Sequence, residues 1–197
     1  GPMISSADIR PRVVLTKNLV TDQTWAGVNK KINVTNCVFD ATEGLGRAAS
    51  ESTAVLINAG GFNDQRVTAV MKYVSPTATS ASEIGVIARC NTLDNIGSSE
   101  SYYYARIDND TAKLTKVING AFTTITQTAF PLAQNVLATI SLSCQGSSII
   151  ATFESAAAPG VVTTLSVTDT AITTGGLMGF RSLSSSIWCR SFTAEEL

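Results

Sequence analysis

The run "YYYARID", residues 102–108, holds the side chains best suited to recognition in this chain. In an extended strand, alternate side chains share a face. Tyr102, Tyr104, Arg106 and Asp108 then lie on one side, and Tyr103, Ala105 and Ile107 on the other. Aromatic faces stack on the apolar face of a sugar ring, and an Arg fork bridges hydroxyls or carboxylates. If a strand at 84–90 pairs with 102–108, Arg89 comes beside Tyr102 and Tyr104, and Lys113, Thr115 and Val117 join that face from the next hairpin. Trp188 and Arg190 alternate on one face of the last strand and would extend the patch. The expected glycan contacts are therefore Arg89, Tyr102, Tyr104, Arg106, Trp188 and Arg190, with the first four forming one contiguous surface patch. A plainer reading stands beside this one. Cross-strand aromatic pairs stabilise a sheet by about 0.2–1 kcal/mol, so the same residues also suit a sheet surface, and Trp188 a core.

Other chemistries are poorly served. The chain has no His, which excludes Ser-His-Asp and Cys-His pairs and any imidazole metal site. Asp108 and Asp110 are the only close strand-side carboxylates. They suit either a calcium or glycosidic site or a hairpin turn bonded to its own backbone. Cys37, Cys90, Cys144 and Cys189 lack CxxC spacing and fit buried thiols, with room for at most one disulfide. No catalytic residue, metal or cofactor is expected.

Charged residues make up only 15% of the chain and the net charge is -1, with no basic stripe to advertise a nucleic-acid partner. No run approaches the roughly 20 apolar residues of a membrane span, so no membrane insertion is expected. Gly1-Pro2 reads as a protease-cleavage scar ahead of Met3, and "ISSADIRPRVVL" lacks the apolar region of a signal peptide. The length suits one domain, with residues 1–12 as an arm and 13–197 as the body.

The elements that must position these residues are strands. Period-2 runs occur at 13–20, 31–39, 53–59, 65–74, 83–90, 102–108, 113–118, 122–127, 137–144, 148–153, 161–167, 177–182 and 187–193. Turn signals separate them at Gly60-Gly61, Asn109-Asp110, Asn119-Gly120, Gln145-Gly146, Pro159-Gly160 and Gly175-Gly176. Residues 91–100 read as a loop, and "AFPLAQN" and "TDTAIT" as single helical turns. The chain is therefore expected to be all-β, with at least ten strands in two antiparallel sheets. Ile84, Val86, Tyr103, Ile107, Leu142, Ile150 and Phe180 should be buried.

Six pieces carry a family resemblance: "GVIAR" (85–89), "YYYARID" (102–108), "KLTKVINGAFTTI" (113–125), "LATISLSCQGSSIIATF" (137–153), "SVTDTAITTGGLMGFRS" (166–182) and "IWCRSF" (187–192). In this order they resemble the concanavalin A-like lectin/glucanase superfamily in its short single-domain form, over about the last 110 residues. The resemblance implies a two-sheet antiparallel jelly-roll sandwich whose concave face often binds glycans. It also gives Gly175-Gly176 and Gly179 plain structural roles in tight entry and close backbone approach. The hydrolases of this fold carry a Glu-x-Asp-x-x-Glu strand, and no acidic residue here has that spacing. Similar modules occur in carbohydrate-active enzymes, adhesins and bacteriophage structural proteins. The leading expectation is a non-enzymatic, phage-type virion structural or adhesion protein, assembled in the host cytoplasm. Its partners would be a cell-surface glycan, other virion proteins and further copies of itself. The alternative is a glycan-degrading enzyme or its accessory carbohydrate-binding module.

Overall fold

The computed structural model describes residues 11–47, 52–58, 62–75, 82–91, 99–183 and 186–197. The first half contributes β1 (Arg12–Asn18), β2 (Lys30–Ile32), β3 (Cys37–Asp40), β4 (Gly44–Arg47), β5 (Ser52–Asn58), β6 (Gln65–Ser75) and β7 (Glu83–Cys90). The second half contributes β8 (Tyr102–Asp108), β9 (Thr111–Ile118), β10 (Ala121–Ala129), β11 (Ala138–Gln145) and β12 (Ser148–Ser155). It closes with β13 (Val162–Thr168), β14 (Leu177–Leu183) and β15 (Ser186–Glu196). An eight-stranded sheet runs β13-β12-β11-β6-β15-β4-β3, with β1 also on β15. A seven-stranded sheet runs β10-β9-β8-β7-β14-β5-β2. Every pairing is antiparallel. The two sheets face each other across one apolar core, which makes the all-β sandwich that the strand pattern predicts.

Local chemistry explains the hairpins. Asn109 and Asp110 have φ of 43° and 62°, and Asn119 and Gly120 have φ of 49° and 80°. Each pair forms a two-residue loop of the twist that matches a right-handed hairpin. Asp110 lies in the first of these turns, but its Oδ1 accepts the Leu132 N–H at 3.1 Å and not an N–H of its own turn, while Asp108 ends β8 and accepts from Lys113 at 2.8 Å. The abundance of Ser and Thr has a place too. Thr164, Thr152, Ser141, Thr68, Thr193 and Thr16 lie opposite one another in a row across the outer face of the eight-stranded sheet. Thr68 Oγ1 donates to Ser141 Oγ at 3.2 Å within it.

Alternation predicts the core with one slip. Ile84, Val86, Tyr103, Ile107, Leu142 and Phe180 are buried in it, but Ile149 takes the place expected of Ile150, which is half-buried. Two adjacent isoleucines offer the pleat two registers, and Phe153 opposite Ile140 selects the one that buries Ile149, Ala151 and Phe153. The expected strand 31–39 is two strands, because Asn33 turns left-handed with φ of 54°. β4 escaped prediction, since "GLGR" lacks an alternating pattern. No helical turn forms at 129–135 or 168–173. Gly60-Gly61, residues 92–98 and residues 1–10 of the arm lie outside the described residues. At Gly179 a Cβ would sit 1.9 Å from Val55 O, so glycine there does allow close backbone approach.

All four cysteines are thiols; Cys37 is half-buried and the others are buried. Burial pushes the Cys144 thiol up to about 12 and raises that of Cys189 further. Iodoacetamide at neutral pH should therefore alkylate Cys37 in the folded chain and reach Cys90, Cys144 and Cys189 only in denaturant. Mass spectrometry of the two reactions checks this, and native-state labelling of Cys144 or Cys189 would contradict it.

Candidate functional site

The outer face of the seven-stranded sheet gathers the polar aromatics. Register sets Arg106 opposite Lys113, Tyr104 opposite Thr115 and Tyr102 opposite Val117, as the alternation predicts. On the other flank Arg106 faces Gly85 and Tyr104 faces Ile87. A Cβ on Gly85 would lie 2.6 Å from the Tyr104 ring, so glycine leaves room for that ring to lean over β7. β14 adds Arg181 opposite Gly85, and β10 adds Phe122 opposite Val117.

These side chains form a stack of cations and rings. The Arg106 guanidinium lies 5.7 Å from the Tyr104 ring centre and 5.5 Å from that of Phe122. Arg181 lies 5.2 Å and 5.4 Å from the same two rings. Arg181 also donates to the Tyr102 hydroxyl at 3.1 Å, and Tyr102 meets Tyr104 edge-on at 6.1 Å. Desolvated cation–ring contacts are worth about 2 kcal/mol or more. Two guanidiniums so close need counter-charge. Arg106 donates to Glu83 and, at 3.2 Å, to Thr115 Oγ1, and Asp108 lies 3.9 Å away. Asp108 also accepts from Lys113 at 2.8 Å. Burial first, and repulsion from Arg181 as well, lowers the affinity of Arg106 for its proton, while Asp108 opposes them. The Tyr104 hydroxyl and Glu83 Oε2 are buried with no hydrogen-bond partner. Phe122 is the exposed member of the stack, at 41%.

Three expectations about the patch need correction. Tyr102 and Tyr104 are fully buried, with Ile32, Leu56, Ile87 and Leu177 in a second apolar cluster, and are not surface groups. Arg89 is not beside them. It has φ of 53°, and a bulge sets Leu177 opposite Cys90 but Gly179 opposite Ile87. The extra residue reverses the alternation, so Cys90 joins Tyr102 and Arg89 leaves that face. Its guanidinium donates to Asn63 O at 2.8 Å, Gly146 O at 3.0 Å and Ile172 O at 2.9 Å. Finally, Trp188 and Arg190 belong to the eight-stranded sheet and point away from its core, on the opposite side of the sandwich. Trp188 is half-buried over Gly46, and Arg190 lies 3.7 Å from Glu43. The site therefore keeps Tyr102, Tyr104 and Arg106, loses Arg89, Trp188 and Arg190, and gains Arg181, Phe122 and Glu83. Arg181 was legible as the residue two after Gly179 in "GFR"; Phe122 and Glu83 required the register.

No protein-family model matches the chain, and no curated protein sequence matches it. Solved structures do. The carbohydrate-binding module CBM66 from Bacillus subtilis superposes with a TM-score of 0.65 at 15% identity, covering 86% of this chain and 95% of the module. Peanut lectin gives 0.66 at 9% identity over 93% of this chain and 97% of its own. The fold is the concanavalin A-like jelly roll. A third jelly roll of this kind is the CBM2 module of the evolved Dit of Lactobacillus casei BL23 phage J-1, with a TM-score of 0.60, 9% identity, and coverage of 93% of this chain and 95% of that one.

Two predictions follow from the geometry. Replacing Arg89 with Ala takes the donor from the buried Ile172 carbonyl and removes the bonds to Asn63 O and Gly146 O; an unsatisfied buried acceptor costs about 1–3 kcal/mol, and chemical denaturation should show a loss of at least that size. Burial also raises the pKa of all four tyrosine hydroxyls from an ordinary 10.0, Tyr102 to about 12 and Tyr73, Tyr103 and Tyr104 further. The unfolded chain releases these protons first, so stability should fall as pH rises above 10. Tyrosinate absorbance should appear together with loss of the sheet signal in circular dichroism, and tyrosinate in a still-folded chain would contradict this.

Proposed function

We propose that the protein is a non-enzymatic, phage-type virion protein, acting in attachment or decoration, that binds a cell-surface glycan on the outer face of its seven-stranded sheet. The observation that carries the reading is the stack of Arg106 and Arg181 with Tyr104 and Phe122, open to solvent at Phe122. An exposed ring backed by guanidiniums offers a sugar a stacking face with charge-assisted donors behind it. The likeness to carbohydrate-binding modules, one of them from a phage protein, supports both the ligand class and the setting.

The non-enzymatic reading rests on the missing Glu-x-Asp-x-x-Glu strand and on the two carboxylates that share this face. Glu83 and Asp108 both lie against Arg106, and Asp108 also against Lys113. A glycan array with the full chain tests the proposal. At least one glycan should bind, and Phe122→Ala should weaken that binding about tenfold or more, the equivalent of 1.4 kcal/mol, measured at a temperature where circular dichroism shows both chains folded, since the ring also packs on Arg106 and Arg181. No binding across the array, or equal binding by Phe122→Ala, would overturn it.

A further inference from the structure

Between Lys116 and Asp169 the chain carries a single charged residue, Glu154. That stretch makes β10, β11, β12 and β13. β10 is an edge of the seven-stranded sheet and β13 an edge of the eight-stranded one. They lie on the same side of the sandwich, in contact with each other. One whole side of the molecule is therefore built from two uncharged edge strands, "AFTTITQTA" and "VTTLSVT".

The other edges are guarded. β2 is three residues long and carries Lys30 and Lys31. β3 is four residues long and ends on Asp40. β1 starts on the exposed Arg12. Short length and charge are the usual defences of a sheet edge against pairing with another chain. β10 has neither defence. It is nine residues long and exposed along most of its length. Its one irregularity, at Ile125, leaves regular runs at 121–124 and 126–129 on either side. Ile125 packs toward the core, while Ala121–Thr124 and Gln127–Ala129 face solvent. Exposed Val161 and Val162 lengthen the uncharged side at β13.

We infer that this side is a self-association surface, on which β10 pairs antiparallel with β10 of a second copy about a two-fold axis. The occupant is a second copy because the strand is self-complementary. Antiparallel pairing of a strand with itself sets each residue opposite another of the same strand, and like charges there would repel. β10 has no charge to repel, and its threonines suit cross-strand pairing. A two-fold between Ile125 and Thr126 sets Thr123 opposite Thr128 of the second copy. The seven-stranded sheet then continues across the axis, and β13 of each copy is drawn toward the contact.

Sedimentation equilibrium of the full chain tests this. The expected species has twice the 20.6 kDa chain mass. Amides of residues 121–129 should gain protection from hydrogen exchange as concentration rises. Thr123→Lys with Thr128→Lys places like charges opposite each other and should yield a monomer that keeps its sheet signal in circular dichroism, since both threonines are exposed. A wild-type chain that stays monomeric overturns the inference. So does a dimer whose β10 amides gain no protection, a result that does not depend on the variant folding. The dimer is read by sedimentation and exchange without any glycan present, so failure here is separable from failure of glycan binding.

Discussion

The buried guanidinium of Arg89 ties together segments that no strand pairing joins. Its donors reach the chain before β6, the turn between β11 and β12, and the segment leading to β14. Gln65 works in the same knot: its Oε1 accepts the Arg89 N–H at 2.9 Å, and its Nε2 donates to Phe62 O and Gly176 O. Asp64 accepts the Gly146 N–H at 2.9 Å and lies 3.5 Å from Arg89. Loops at the end of a sandwich leave backbone carbonyls with no ladder to satisfy them, and a buried carbonyl without a donor is costly. One planar five-donor side chain answers several such carbonyls at once. The bulge in β7 is what makes it available, by turning Arg89 off the outer face.

That bulge also shapes the recognition face. With Arg89 gone and Cys90 in its place, the outer face of β7, β8 and β14 is apolar at one end and charged at the other. β7 is buried at every residue, so side chains of its neighbours cover that strand on both faces. The tyrosines fix the position of the two guanidiniums, and Glu83 and Asp108 balance them. Such a network of paired charges is rigid, because any displaced member leaves a buried charge without its partner. Rigidity suits recognition: a preorganised stack loses little entropy when a ligand settles on its exposed ring.

The two ends of each sheet divide the labour of solubility and contact. Charge is concentrated on the short edges and on the pairs Arg66–Glu195 and Arg12–Glu196 along β6, β15 and β1. The far side of the sandwich is left to threonine, serine and valine. A chain with a net charge of -1 gains little from long-range repulsion, so the placement of its few charges decides which edges stay apart.

Period-2 alternation settled most of the architecture. Strands, hairpin turns and the inward set Ile84, Val86, Tyr103, Ile107 and Phe180 follow from residue type and spacing, because a pleat has only two faces and the core takes the apolar one. The companionship of Tyr102, Tyr104, Arg106, Lys113 and Thr115 follows from the same rule carried across two tight turns. The rule is local, and it failed where a non-local contact set the register. A bulge at Arg89 reversed the alternation for one residue, and packing of Phe153 chose between Ile149 and Ile150. Which sheet each strand joins is also invisible to alternation. Trp188 and Arg190 have the spacing of a patch, yet the crossover of β15 into the eight-stranded sheet puts them on the far side from Tyr104. Only the tertiary structure brought Arg181 and Phe122 to Arg106, because each comes from a different strand whose neighbour is fixed by burial of the whole core and not by its own sequence.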